Sequence, residues 1–195
     1  MGCCKSKELE VISRKISVLG NDRVGKSCLI QRYVKDEYDE DTPSAFIPSA
    51  LQVDEKDELL KNGQTVHLFV YDLGGKESFK HLKRLNYPRS DAAIICFSID
   101  DKESLEAVTD SWVQDIRKIS PDIPILLVGL KKDKREEAAS AEVLVQEKNG
   151  RSVAKKNNML GYIECSSMTG EGVKEIFATI AREAAKRQTI KSEDV

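Results

Sequence analysis

The sequence predicts an α/β fold: a doubly wound, mostly parallel six-stranded sheet with one antiparallel strand, its ligand held at the carboxyl ends of the strands. Three observations lead there. Continuously apolar runs of strand length alternate with stretches of helical periodicity, the pattern of parallel strands covered on both faces. A single Asn62-Gly63 pair separates an alternating segment from an apolar one and predicts one hairpin. Finally, Gly20-Asn21-Asp22-Arg23-Val24-Gly25-Lys26-Ser27 is a complete G-x-x-x-x-G-K-[ST] loop set between an apolar run and a helical pattern.

In chain order, Lys15-Ile16-Ser17-Val18-Leu19 is the first strand and Cys28-Leu29-Ile30-Gln31-Arg32-Tyr33 belongs to the helix behind the loop. The two glycines let the backbone close around an anion with its N–H groups turned inward. Asp22, Arg23, Val24, Gly25, Lys26, Ser27 and Cys28 are therefore expected along the phosphates of a nucleoside triphosphate. Lys26 neutralises the outer phosphates, and the Ser27 hydroxyl is suited to ligate Mg²⁺. An alternating segment around Leu51-Gln52-Val53 and the run Val66 to Asp72 form the antiparallel pair. Ala92 to Ile99, Ile123 to Gly129 and Gly161 to Cys165 are the later parallel strands. Between them, Ser104 to Ile119 places Leu105, Val108, Trp112, Val113 and Ile116 on one helical face. Gly172 to Lys186 does the same with Val173, Ile176, Phe177 and Ile180. The charged, helix-prone stretch Lys131 to Glu147 is expected to be solvated surface.

Composition narrows the function classes. At 195 residues and 40% apolar content the chain supports one core and one domain. A net charge of -2 with 33% charged residues argues for a mixed, soluble surface and against nucleic acid as a partner. Five cysteines, without paired metal-ligand spacing, fit a reducing compartment; Cys28, Cys96 and Cys165 are expected as small core residues. No stretch approaches the roughly 18 apolar residues of a spanning helix, and no signal-peptide core is present, so the protein is expected on the cytosolic side.

Residues 1–13 read as a lipid-anchor segment. Met1-Gly2-Cys3-Cys4-Lys5-Ser6 matches the N-myristoylation pattern at Gly2, and Cys3 and Cys4 are placed for palmitoylation. Two lipids hold a membrane where one is marginal, which predicts residence on the cytoplasmic face of a plasma membrane or endomembrane. The end of the chain, Lys191-Ser192-Glu193-Asp194-Val195, has no prenylation cysteine, and residues 187–195 are expected to be a flexible acidic tail rather than a PDZ ligand.

Beyond the loop, several ordered motifs carry a family resemblance. Tyr87-Pro88-Arg89-Ser90-Asp91, Cys96-Phe97-Ser98-Ile99-Asp100, Ser104-Leu105-Glu106, Trp112 and Glu164-Cys165-Ser166 resemble small GTPases of the Ras superfamily, and within it the Rho branch, over residues 14–186. The resemblance implies a P-loop small G-domain that binds GTP or GDP with Mg²⁺. It implies Ser27 and Ser44 as hydroxyl ligands of the metal, Asp72 as holder of a metal-bound water, and Gly75 as donor to the γ-phosphate. Residues 36–46 and 72–87 would be the switches presented to effector proteins, with an exchange factor reloading the site. Lys131 would lie over the guanine, Asp133 would accept from its N1–H and exocyclic amine, and a backbone N–H of Ser166-Ser167 would reach its oxygen.

The departures from that family pattern are specific. Where relatives read Asp-x-Ala-Gly-Gln, this chain reads Asp72-Leu73-Gly74-Gly75-Lys76. The hydrolytic glutamine is absent, and the ammonium of Lys76 has donors only, so it cannot accept a proton from the attacking water. Asp22 stands where most relatives carry glycine and crowds the space of an arginine finger. In the base motif Leu130-Lys131-Lys132-Asp133, Leu130 replaces asparagine, and Met168 replaces a lysine. Slow hydrolysis and weakened affinity are therefore expected. Three functions stay open at this level: a membrane-anchored GTP switch, a pseudo-GTPase binding module, and a P-loop kinase acting on a small metabolite.

Overall fold

The computed structural model describes residues 11–38, 51–74, 87–137 and 144–187. β1 (Ile12–Gly20) runs into helix α1 (Lys26–Lys35). The hairpin β2 (Leu51–Leu59) and β3 (Thr65–Leu73) follows, then β4 (Ala92–Ser98), β5 (Ile125–Leu130) and β6 (Gly161–Glu164). A six-stranded sheet results in the order β2-β3-β1-β4-β5-β6. β2 is antiparallel to β3, and every other neighbouring pair is parallel. The order reverses around β1, so the crevice outside its carboxyl end is the topological switch point where such sheets bind ligands.

Burial explains why each strand carries its pattern. All seven residues of β4 and all six of β5 are buried, because helices cover both faces of the sheet there. β2 lies at the edge and alternates exposed with half-buried residues, which is how a one-sided strand reads. One core layer joins Ile16, Val18, Leu68 and Val128 to α1 and the last helix, where Tyr33 stacks on Phe177. The other joins Leu19, Ile95, Phe97 and Leu127 to Val108, Trp112 and Ile116.

The helices depart from their expected bounds in instructive ways. The segment expected from Ser104 begins earlier as α2 (Lys102–Ala107), with the Asp101 carboxylate capping the Ser104 N–H at 3.2 Å. A π-helical turn, Val108–Trp112, then interrupts it before α3 (Val113–Ile119). The stretch expected as solvated surface needs correction: among its described residues Lys134–Glu137 (α4) forms a short helix, and Leu144 and Val145 are buried in the second core layer. The Val145 N–H donates to the Ile99 carbonyl at 2.9 Å, pinning this segment beside β4. A further helix, α5 (Glu147–Lys156), is not expected from the sequence, and it runs through an Asn149-Gly150 pair, residue types that favour turns. Gly150 is tolerated there since its missing Cβ makes room for the Tyr162 ring, which a methyl would meet at 2.5 Å. Finally, α6 (Val173–Ala185) starts after Gly172, which is its left-handed cap at φ 76° rather than a helical residue. Cys96 and Cys165 are core residues, whereas Cys28 is only half-buried on α1. No helix among the described residues is long and apolar enough to cross a membrane.

Candidate functional site

The loop after β1 is held by its glycines and by one lysine. Gly20 has φ 143°, and a Cβ there would sit 2.2 Å from the Cys96 carbonyl oxygen of β4, so this position admits no side chain. Arg23 and Gly25 also take positive φ, of 62° and 108°, which turns successive N–H groups to one side. α1 begins directly after Gly25 with no side-chain cap, leaving its first-turn N–H groups to an anion. Lys26 is buried, and its Nζ donates to the Gly20 carbonyl at 3.0 Å and the Asn21 carbonyl at 2.8 Å. Burial pushes its pKa down, while Asp72 and Asp22 favour the charged form. Asp22 and Arg23 project from the exposed apex, and Val24 turns into the core.

At the carboxyl end of β3, the Asp72 carboxylate accepts a hydrogen bond from the Ser27 hydroxyl. Burial raises the Asp72 pKa, opposed by that hydrogen bond and by the Lys26 charge. These two oxygen groups, side by side and beside the lysine, are the hard donors Mg²⁺ takes, so the residues present fit the ion. Ser44, Gly75 and Lys76 lie outside the described residues, as do Gly2, Cys3 and Cys4 and most of the two switch segments.

The loops after β5 and β6 build the opposite wall. The Ser166 hydroxyl donates to Asp133 Oδ1 at 2.5 Å, and the Lys132 N–H to the Cys165 carbonyl at 2.9 Å, so the two loops are one unit. Lys131, at φ 64°, pairs with Asp100 Oδ2 at 3.2 Å. Ser167 is half-buried beside Ser166, and Met168 is exposed. Leu130 is fully buried, with its Cδ1 only 3.6 Å from where a Cβ on Gly25 would be; an apolar contact under the phosphate loop stands where the family pattern has an amide.

Sequence reasoning missed three contributors. Arg135 makes a bidentate pair with Glu164 at 2.8 and 2.6 Å and also donates to the Val145 carbonyl, tying the two base-side loops together. Asp100 anchors Lys131. Asn21 receives the Trp112 indole N–H at 2.8 Å across 91 positions. The Arg135–Glu164 spacing carries no local signal; only Asp100, standing at a strand end, could have been suspected.

All of these groups lie at the carboxyl ends of β1, β3, β4, β5 and β6, on one rim of the sheet. A triphosphate would meet the loop and Lys26 at one side of this rim, and a base would meet Asp133 and Ser166 at the other. A family model described as the Ras family matches residues 15–186. Sheet order, phosphate loop and match agree, and the chain belongs to the Ras family: it is a small GTPase, a guanine-nucleotide switch of the type that binds GTP or GDP with Mg²⁺.

Proposed function

We propose that this small GTPase is a membrane-associated, Rho-like switch that hydrolyses GTP slowly and stays GTP-loaded for long periods. The observation that carries the reading is an intact phosphate and metal cradle, with Lys26 held by two carbonyls and Ser27 bonded to Asp72, combined with altered hydrolytic positions. Asp22 adds a carboxylate at the exposed apex of the phosphate loop. Lys76 replaces the glutamine that orients the attacking water. A bound Mg²⁺ would neutralise charge on the β- and γ-phosphates; the chain's own part is to hold those phosphates with Lys26 and the N–H groups of the loop. Without an acceptor at residue 76, the water lacks orientation, and with Asp22 in place an arginine from an activating protein meets a side chain. Binding therefore survives while turnover falls.

The Rho likeness rests on the motifs from Tyr87 to Ser166, effectors would meet residues 36–46 and 72–87, and an exchange factor would open the site. Acylation at Gly2, Cys3 and Cys4 would place the domain on the cytoplasmic face of a membrane. Single-turnover hydrolysis of GTP by the purified protein tests the enzymatic half. A rate well below that of the Lys76→Gln plus Asp22→Gly variant is expected, and equal rates refute slow turnover by these residues. Labelling in cells with an alkyne fatty acid tests the anchor, with loss in Gly2→Ala expected.

Buried Leu130 favours a second reading, a pseudo-GTPase whose nucleotide is structural or absent. The nucleotide released from freshly purified, denatured protein separates the two: GTP supports the slow switch, and an empty site supports the binding module.

A further inference from the structure

Trp112 is the only tryptophan of the chain, and it sits at the end of the π-helical turn, almost fully buried in the second core layer. π turns inside helices recur at functional places because they redirect the side chains that follow. Here the indole N–H reaches Asn21 Oδ1 at 2.8 Å. An indole nitrogen can only donate, so the contact selects the oxygen side of the Asn21 amide. The backbone carbonyl of the same Asn21 receives the Lys26 ammonium at 2.8 Å, and the neighbouring Gly20 carbonyl receives it at 3.0 Å. Gly20 pairs with Cys96 of β4 so closely that a Cβ on it would lie 2.2 Å from the Cys96 carbonyl oxygen. Residue 21 is thus gripped by its side chain from below and by its carbonyl from the lysine, while Asp22 and Arg23 beyond it are exposed.

We propose that Trp112 is a positioning residue of the phosphate loop: its N–H holds Asn21, and through the Asn21 carbonyl it holds the Lys26 ammonium where the outer phosphates are bound. The inference rests on reading this loop as the nucleotide site. Losing the indole donor frees the Asn21 peptide to rotate, and Lys26 loses one of its two fixed acceptors. Nucleotide then leaves faster although the core keeps its ring.

The test uses the full chain with Mg²⁺ and the fluorescent probe methylanthraniloyl-GDP. Trp112→Phe keeps an aromatic ring but no donor, and Asn21→Ala removes the acceptor. Each is expected to speed probe release by about two- to tenfold, with the double variant no faster than the faster single one. In Asn21→Ala the ¹H–¹⁵N resonance of the lone indole is expected to move, which reports the hydrogen bond itself, while the non-additive release rates separate positioning from a merely structural role. Additive effects of the two substitutions overturn the inference, as does an unchanged release rate in Trp112→Phe. Should Trp112→Phe fail to fold, Asn21→Ala decides alone: unchanged release, or faster release with an unmoved indole resonance, overturns it. Failure of the unmodified protein to bind the probe at all overturns the nucleotide reading itself, which is a different result from normal binding that ignores both substitutions.

Discussion

The Ser27 hydroxyl donates to the Asp72 carboxylate, joining the first turn of α1 to the last residues of β3. Two residues 45 positions apart, one on a helix and one on a strand, are thereby in direct contact. The pairing gives a buried carboxylate a hydroxyl partner, and the nearby Lys26 charge favours its ionised form.

Removing either group should uncouple Mg²⁺ from nucleotide retention. For Ser27→Ala and Asp72→Asn, we expect Mg²⁺ affinity to fall by at least about tenfold. Chelation should then accelerate GDP release in the unmodified protein and scarcely change it in the variants. Stopped-flow release with and without chelator checks this.

Leu130→Asn should act with opposite signs on the empty and the loaded protein. Losing a buried leucine costs about 2–5 kcal/mol of stability, and a polar amide in an apolar layer adds to that loss. With nucleotide present, the amide regains a hydrogen bond between the base and phosphate loops, which slows release by about two- to tenfold. Thermal melting with and without GDP checks both halves: a lower empty melting point and a larger GDP-induced rise are expected, and an unchanged rise contradicts the account.

Arg135 and Glu164 should matter to the base side and show in acid. Burial by itself raises the Glu164 pKa, but hydrogen bonds from Arg135 and Tyr162 outweigh it and hold the carboxyl below its ordinary value near 4.5. A depressed carboxyl stabilises the fold above the unfolded value and loses that contribution as pH falls through the folded one. Arg135→Ala strands a largely buried carboxylate, costs about 1–3 kcal/mol, and speeds GDP release by loosening both loops. Its stability should therefore decline less as pH falls below the ordinary carboxyl value near 4.5, where the pair is lost. Denaturant melts at several pH values would reveal an unchanged slope if the pair were idle.

His67 offers a shift of the other sign. Its Nδ1 lies 2.6 Å from Asp57 Oδ1 and its Nε2 3.5 Å from Glu55 Oε2 on the open face of the hairpin. The hydrogen bond to Asp57 is the main cause of a pKa raised above the ordinary 6.5. A raised imidazole stabilises fully below its unfolded value, and the contribution disappears as pH rises through the folded one. The site is exposed and the effect small, so NMR titration is the measurement: Asp57→Asn should lower the His67 midpoint, and an unmoved midpoint rejects the pairing.

Much of this protein was written in short stretches of its chain. The Gly20–Ser27 loop declares its chemistry locally, because the glycines, the lysine and the hydroxyl act on phosphate within one turn of backbone. The apolar runs of β4 and β5 declared two covered faces, and Asn62-Gly63 declared the hairpin that pairs Leu59 with Thr65. Other features were decided only in three dimensions. Gly150 sits mid-helix for the sake of the Tyr162 ring, Leu144 and Val145 leave a charged stretch to enter the core, and Trp112 finds Asn21 across 91 positions of chain. The physical reason is range: backbone propensity and hydrophobic period act over a few neighbouring residues, whereas a cavity to fill or a donor to satisfy is created by segments that meet only after the sheet has assembled.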